Sequence, residues 1–123
     1  MPAKIYQGTT SKQIASVNNG RLYEGTTSHQ IAKIDKGKVS QGNSSYVTIT
    51  IKDDKVYEGN TSKQISKFEG GRLLKGTTST ILAHVDDSGK IYSGTSSTVI
   101  GKIDGSVSQD EMITILYVVF ALF

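Results

Sequence analysis

A unit of seventeen residues recurs along most of the chain, and this repetition limits the available folds more than any other feature. The stretch LYEGTTSHQIAKIDKGK (residues 22–38) matches the preceding stretch IYQGTTSKQIASVNNGR (residues 5–21) at nine of seventeen positions. A two-stranded unit of this size is marginal in water, so the copies must share one core. Each copy starts with an aliphatic residue. The spacing is seventeen as far as Leu73, eighteen from Leu73 to the next start, and sixteen from there to a truncated seventh copy; the starts are Ile5, Leu22, Val39, Val56, Leu73, Ile91 and Val107.

Within each copy, turn residues alternate with strand-like runs. Turns such as NNG, DKG and EGG separate runs such as QIASV from returning runs such as RLYEG. Turns of this type between alternating runs predict β-hairpins. The fourth position of each of the six full copies is a glycine, and we expect positive φ or a tight backbone approach there because one residue type fills the column. This glycine column comprises Gly8, Gly25, Gly42, Gly59, Gly76 and Gly94.

The run before each hairpin turn, such as QIAKI, is here called the outgoing strand, and its side chains alternate between two faces. This alternation places Ala32 and Ile34 on one face, and Ile31 and Lys33 on the other. The Ile34 column is interpreted as core, and the Ala32 column as a crowded place where strands converge. The opposite aliphatic column is expected to pack beneath the tyrosines; it comprises Ile14, Ile31, Ile65, Leu82 and Ile100.

These patterns predict an all-β fold. We expect a pseudo-symmetric ring or barrel of about six β-hairpins from the 17-residue repeats, closed or nearly closed, since closure removes exposed strand edges. The repeats occupy residues 4–107 of a single domain, 1–123, and one apolar helix at the C-terminus completes it.

The C-terminal segment, residues 108–123, breaks the repeat. Ser108 and Glu111 form a capping-box pattern before an apolar run, which predicts a helix from about Gln109 to the C-terminus. Its β-branched residues leave a strand as the alternative. A helix apolar on all sides must be buried. It would plug its own ring, cap an open end, or pack against another subunit in a homo-oligomer. The run is too short to span a membrane.

The lines RLYEG, GKVSQG and VIGKIDGSV resemble the repeats of the small bacterial beta-flower proteins. That resemblance covers about residues 4–107 and implies hairpins radiating around a pseudo-symmetry axis, with no established activity. The Tyr-x-Gly element also resembles MORN repeats, although the period of seventeen and the missing further glycines depart from that pattern.

No pattern indicates a catalytic, cofactor-binding or metal site. Cysteine is absent, and His29 and His84 occupy different columns, which favours ordinary surface histidines. The acidic residues are typical of turns. Five cations that follow the turns are expected to form a positively charged rim, with phosphate binding as the alternative; they are Arg21, Lys38, Lys55, Arg72 and Lys90. Because this charge is spread along the repeats, no nucleic-acid partner is predicted.

The tyrosine column is the candidate ligand surface. Aromatic faces beside amide groups are typical of sugar recognition, and repetition would give multivalency; the alternative is that the tyrosines cover the outer aliphatic column. The residues are Tyr6, Tyr23, Tyr57, Tyr92, Gln13, Gln30 and Gln64. We predict a non-enzymatic structural or interaction module with a protein or glycan partner, or alternatively a repeat carbohydrate-binding, lectin-like protein. The N-terminus has no apolar run, so a cytoplasmic location is expected.

Overall fold

The computed structural model describes residues 3–10, 12–42 and 46–120. Twelve antiparallel strands follow one another around a closed barrel, in which each strand pairs with its sequence neighbours and the first pairs with the last. The predicted all-β ring of hairpins is confirmed. The strands are β1 (Ala3–Gln7), β2 (Gln13–Asn18), β3 (Arg21–Glu24), β4 (Gln30–Asp35), β5 (Lys38–Gln41), β6 (Val47–Lys52), β7 (Lys55–Glu58), β8 (Gln64–Glu69), β9 (Arg72–Lys75), β10 (Ile81–Val85), β11 (Lys90–Ser93) and β12 (Val99–Asp104).

The glycine column joins neighbouring strands at the end of the barrel that carries the polar loops, here called the loop end. All six glycines have φ between 53° and 57°, which confirms the predicted positive φ. The backbone N–H of Gly25 donates to the carbonyl of Ile14 at 2.9 Å, and the same bond recurs in every copy. Gly8 donates to the carbonyl of Ile100 at 2.9 Å, so this ring of hydrogen bonds also crosses the junction between the first and last strands.

Each outgoing strand contains a β-bulge opposite this glycine. In the pairing of β3 with β4, the register passes from Ala32 to Gln30 and leaves Ile31 without a partner. Ile31 lines a cleft together with Ala32 and with Tyr117 of the C-terminal segment. The extra residue breaks the alternation, and the aliphatic column packs against the buried core. The expectation that this column packs beneath the tyrosines is therefore wrong.

At the opposite end, here called the turn end, the hairpin turns are also tied together. The turn between β2 and β3 has Asn19 at φ 52° and Gly20 at φ 75°. The carbonyl of Gly20 accepts a hydrogen bond from the backbone N–H of Ile34 at 2.7 Å. Equivalent bonds from the turn residues to the next outgoing strand recur around the barrel. Both ends of each hairpin are thus fixed to its neighbour, beyond the ladder itself.

The C-terminal segment begins as helix α1 (Gln109–Thr114). The predicted capping box is present: the Ser108 hydroxyl accepts from the Glu111 N–H at 3.2 Å, and Glu111 Oε1 accepts from the Ser108 N–H at 2.9 Å. The second carboxylate oxygen of Glu111 accepts from the N–H of Gly20 at 2.9 Å. One carboxylate therefore caps the helix and anchors it to the turn end of the barrel.

The chain continues as a π-helical segment, Ile115–Val119. Ile113, Ile115 and Leu116 have no exposed surface and belong to the same core cluster as the inward residues of the strands. Farther on, the ring of Phe120 packs against Gly101 of β12, where an added Cβ would collide with it. The segment therefore fills the lumen of its own barrel. The predicted helix is confirmed to Val119, and residues 121–123 lie outside the described range. None of the helices in the described ranges has the length and hydropathy to cross a membrane.

Ser66 occupies the small inward column, where three other copies carry alanine. Its side chain is fully buried, and its hydroxyl has no hydrogen-bond partner among the described residues. A buried, unpaired hydroxyl costs about 1–3 kcal/mol. We therefore expect Ser66→Ala to raise the free energy of unfolding by about 1 kcal/mol or more in denaturant titrations. Ser16→Ala, on the half-buried face, is the control; an unchanged or lower stability of Ser66→Ala would contradict this account.

Candidate binding surface of the barrel

The structure brings the predicted ligand residues together as cross-strand pairs on the outer face. Tyr23 lies opposite Gln30 in the pairing of β3 with β4, and its neighbour Leu22 points into the core. The same register recurs at two further places, whereas the last tyrosine faces a valine because the sixth copy lacks the glutamine. These pairs are Tyr6 with Gln13, Tyr57 with Gln64, and Tyr92 with Val99.

The three glutamines have a second role that the sequence did not indicate. The side-chain amide nitrogen of Gln30 donates to the carbonyl of Gly42 at 2.8 Å. Gln13 donates in the same way to Gly25 at 2.8 Å, and Gln64 to Gly76 at 2.9 Å. Each amide therefore holds the backbone of the glycine column and is fixed in orientation. The amide oxygen and the second N–H are the groups left to meet a ligand.

Two other side chains replace glutamine in this role. The Thr50 hydroxyl donates to the carbonyl of Gly59 at 2.6 Å. Nδ1 of His84 lies 2.7 Å from the carbonyl of Gly94, which requires that this nitrogen carries the proton. The imidazole also stacks on the ring of Tyr92, with centroids 4.6 Å apart and planes 15° apart. His84 thus supports the barrel and its tyrosine, while His29 is exposed in a loop.

Tyr92 is held by the one turn that carries an extra residue. Its hydroxyl donates to Oδ2 of Asp86 at 2.8 Å. The other carboxylate oxygen, Oδ1, accepts from the hydroxyl and backbone N–H of Ser88 and from the backbone N–H of Lys90. These hydrogen bonds, the Ser88 hydroxyl foremost, hold the pKa of Asp86 well below its ordinary value. The hydrogen bond to Asp86 raises the pKa of Tyr92. The eighteenth residue of this repeat therefore creates a turn that immobilises an aromatic side chain.

The cations after the turns lie on the same outer face, and three of them, Arg21, Lys55 and Lys90, stand next to a tyrosine. At three places the register puts a second cation directly opposite, so that two positive side chains are cross-strand neighbours. These pairs are Arg21 with Lys33, Lys55 with Lys67, and Lys90 with Lys102. The sequence alone indicated only one cation of each pair, because the partner became visible only with the register. Lys38 and Arg72 instead face Thr50 and His84.

Two open grooves run along these cation pairs. One, of about 520 Å³, is lined by Tyr6, Lys90, Lys102 and Asp104, together with Thr9 and Thr10. The other, of about 680 Å³, lies at the equivalent place two repeats earlier in the chain and is lined by Lys55, Lys67, Gln64, Leu74 and residues 77–79. In the described ranges, no three acidic, histidine or cysteine side chains are grouped so as to hold a metal ion. The chemistry offered by this surface is aromatic, amide, hydroxyl and cationic, with carboxylates at Asp86 and Asp104.

Comparison with known proteins agrees with this architecture. A family model described as a 6-fold beta flower protein matches residues 23–122. No curated protein and no solved structure matches the chain.

Proposed function

The chain belongs to the 6-fold beta flower family, and from that premise we propose that it is a non-enzymatic interaction module that binds its partner on the outer face of the barrel. The observation that carries this proposal is the filled lumen. Ile113, Ile115 and Leu116 occupy the space in which a barrel of this kind would otherwise hold a ligand. The side chains available for recognition are therefore those that point outward, and the repeats present them several times.

A carbohydrate partner is the second candidate, and the cross-strand pairs of tyrosine and glutamine favour it. A flat aromatic ring packs on the apolar face of a sugar, and an amide bonds its hydroxyl groups. Gln30 is fixed by its bond to the Gly42 carbonyl at 2.8 Å, and Tyr92 by its bond to Asp86 at 2.8 Å. Side chains that are already ordered lose less entropy on binding. Weak sites repeated around one barrel gain avidity toward a branched or polymeric glycan.

The expected cellular location and oligomeric state remain predictions. One is a cytoplasmic location. The other is a homo-oligomer formed through the C-terminal segment; the burial of Leu116 inside its own chain supports the plugging role of that segment over the intersubunit role.

Removing one aromatic ring tests the carbohydrate candidate. We expect the full-length protein to bind a set of oligosaccharides on a glycan array, and Tyr23→Ala to weaken that binding about three- to tenfold, because an aromatic contact is worth about 0.5–1.5 kcal/mol. Tyr46→Ala is the matched control, since Tyr46 is 73% exposed and lies outside the tyrosine column. Equal loss in both variants, or no glycan bound at all, would contradict the carbohydrate candidate and leave a protein partner as the proposal.

A further inference from the structure

We propose that three places on the outer face bind the acid group of an anionic saccharide. This inference rests on the carbohydrate candidate above and specifies the class of its ligand. Each place, here called a dicationic unit, consists of two adjacent cross-strand pairs: two cations, and next to them a tyrosine with its partner. The units are Arg21 and Lys33 with Tyr23 and Gln30; Lys55 and Lys67 with Tyr57 and Gln64; and Lys90 and Lys102 with Tyr92 and Val99.

Two like charges placed directly opposite on neighbouring strands destabilise a sheet. The barrel nevertheless contains this arrangement in all three units, and once more where Lys52 faces Lys55 in the pairing of β6 with β7. Among the described residues only one of these six cations has an ion pair: Lys67 lies 3.3 Å from the carboxylate of Glu69, and that carboxylate is well exposed. The positive charge of the units is only partly compensated by the protein itself. An acidic residue follows the second cation of each unit two positions later, at Asp35, Glu69 or Asp104, and Asp86 also lies beside Lys90. A bound anion would relieve the repulsion and gain from both cations at once.

The remaining junctions of the barrel are built differently. Where the other polar loops join two strands, the opposing pairs are Lys4 with Ser16, Lys38 with Thr50, and Arg72 with His84. Dicationic units therefore occupy every second loop-linked strand pair around the closed barrel. The molecule thus contains three sites of one kind, separated by three junctions that share the backbone but lack the second lysine.

The neighbours of the cation pair indicate a saccharide rather than a free anion. Arg21 and Tyr23 are two residues apart on one strand, so their side chains emerge about 7 Å apart on the same face. A monosaccharide spans this distance, so its carboxylate or sulfate would meet the cations while its ring lies on the tyrosine. The cation pairs of two units line the open grooves described above, and threonine hydroxyls line the adjoining wall. The aromatic residue that lines the first groove is Tyr6 of β1, which lies opposite Lys102.

Calorimetry and NMR titration of the full-length protein test this inference. The probes are trigalacturonate, its fully methyl-esterified form, sodium sulfate, and a short single-stranded oligodeoxynucleotide. We expect trigalacturonate to bind at three sites per barrel, at least about tenfold more tightly than the ester, and more weakly as salt is added. The largest chemical-shift changes should be at the backbone amides of the three units.

The chain supplies its own matched control. The triple variant Lys33→Ser, Lys67→Ser, Lys102→Ser removes one cation from each unit, and we expect it to lose about tenfold or more in affinity for the acid. Folding should survive, because the change relieves like-charge repulsion. The control triple variant Lys4→Ser, Lys38→Ser, Arg72→Ser removes the same net charge from the intervening junctions. We expect it to bind within about twofold of the parent, since none of these cations belongs to a unit and exposed charges are screened by salt.

The outcomes distinguish a failure of the anionic-saccharide inference from a failure of the carbohydrate candidate on which it rests. Equal affinity for the acid and its ester overturns the inference but leaves the carbohydrate candidate standing. Failure of both saccharides to bind overturns both. If sulfate or the oligonucleotide binds as tightly as the acid, the units recognise charge alone or a nucleic acid, and the inference is wrong. An equal loss in the two triple variants overturns it as well, because binding would then follow net charge.

Discussion

A chain that lacks residues 112–123 is expected to be insoluble or molten. An eight-stranded barrel is already just wide enough for its own side chains to fill the interior. This barrel has twelve strands, and one of its inward columns is mostly small. That column comprises Ala15, Ala32, Ile49, Ser66, Ala83 and Gly101. The strands alone therefore leave a lumen that they cannot close, and the C-terminal segment fills it.

The free energy of apolar burial that truncation would remove supports the same expectation. Ile113, Ile115 and Leu116 have no exposed surface. Burying three such side chains contributes about 5–9 kcal/mol. The whole stability of a domain is typically about 5–15 kcal/mol. Truncation also removes the packing of Phe120 on Gly101, so the expected loss reaches the total stability.

Expression of the truncated chain, followed by thermal melting and light scattering, measures this result. We expect aggregation, or a soluble product with dye-accessible apolar surface and no cooperative transition. The full-length chain, prepared in parallel, provides the reference size and melting temperature. A truncated protein of the same size that melts cooperatively near that temperature would contradict the account, since the strands would then hold the barrel without a plug.

Much of this fold was predictable because the same pattern of turn and strand residues recurs in each repeat. Turns such as Asn19 with Gly20 specify hairpins, and six similar hairpins on one short chain favour closure. The helix start was equally explicit, since Ser108 and Glu111 form a pattern whose two hydrogen bonds are both present. The hairpin turns and the helix start depend only on residues close together in sequence, so both can be predicted without knowing which strands are neighbours.

What the sequence did not reveal depends on register. The bulge at Ile31 cannot be read from a pattern of period two, because an unpaired residue looks like any other aliphatic residue in the run. The bond from Gln30 to Gly42 and the meeting of Lys55 with Lys67 likewise require knowledge of which strands are neighbours. The candidate site was therefore predicted in its tyrosines and glutamines but not in its paired cations.

Replacing Leu116 by aspartate is expected to be the most damaging single substitution in the C-terminal segment. The side chain has no exposed surface and lies in the lumen among apolar residues. An unpaired carboxylate there costs several kcal/mol even after relaxation, in addition to the lost apolar burial. The loss should exceed about 4 kcal/mol, a range that single substitutions reach only through mechanisms of this kind. Denaturant titration at neutral pH measures it, where the chain still folds; otherwise the variant should resemble the truncated chain.

Two companion variants separate charge from shape at the same position. Leu116→Asn has nearly the shape of the aspartate variant but no charge, so it should be less destabilising by the cost of burying the ion. Leu116→Met conserves volume and should cost less than about 1.5 kcal/mol. This order follows only if the segment is enclosed by its own barrel, because a side chain at a wet opening would tolerate aspartate as well as asparagine. Equal stability of the aspartate and asparagine variants would therefore place Leu116 in contact with water, and the plugged lumen on which the outward-facing binding surface depends would have to be abandoned.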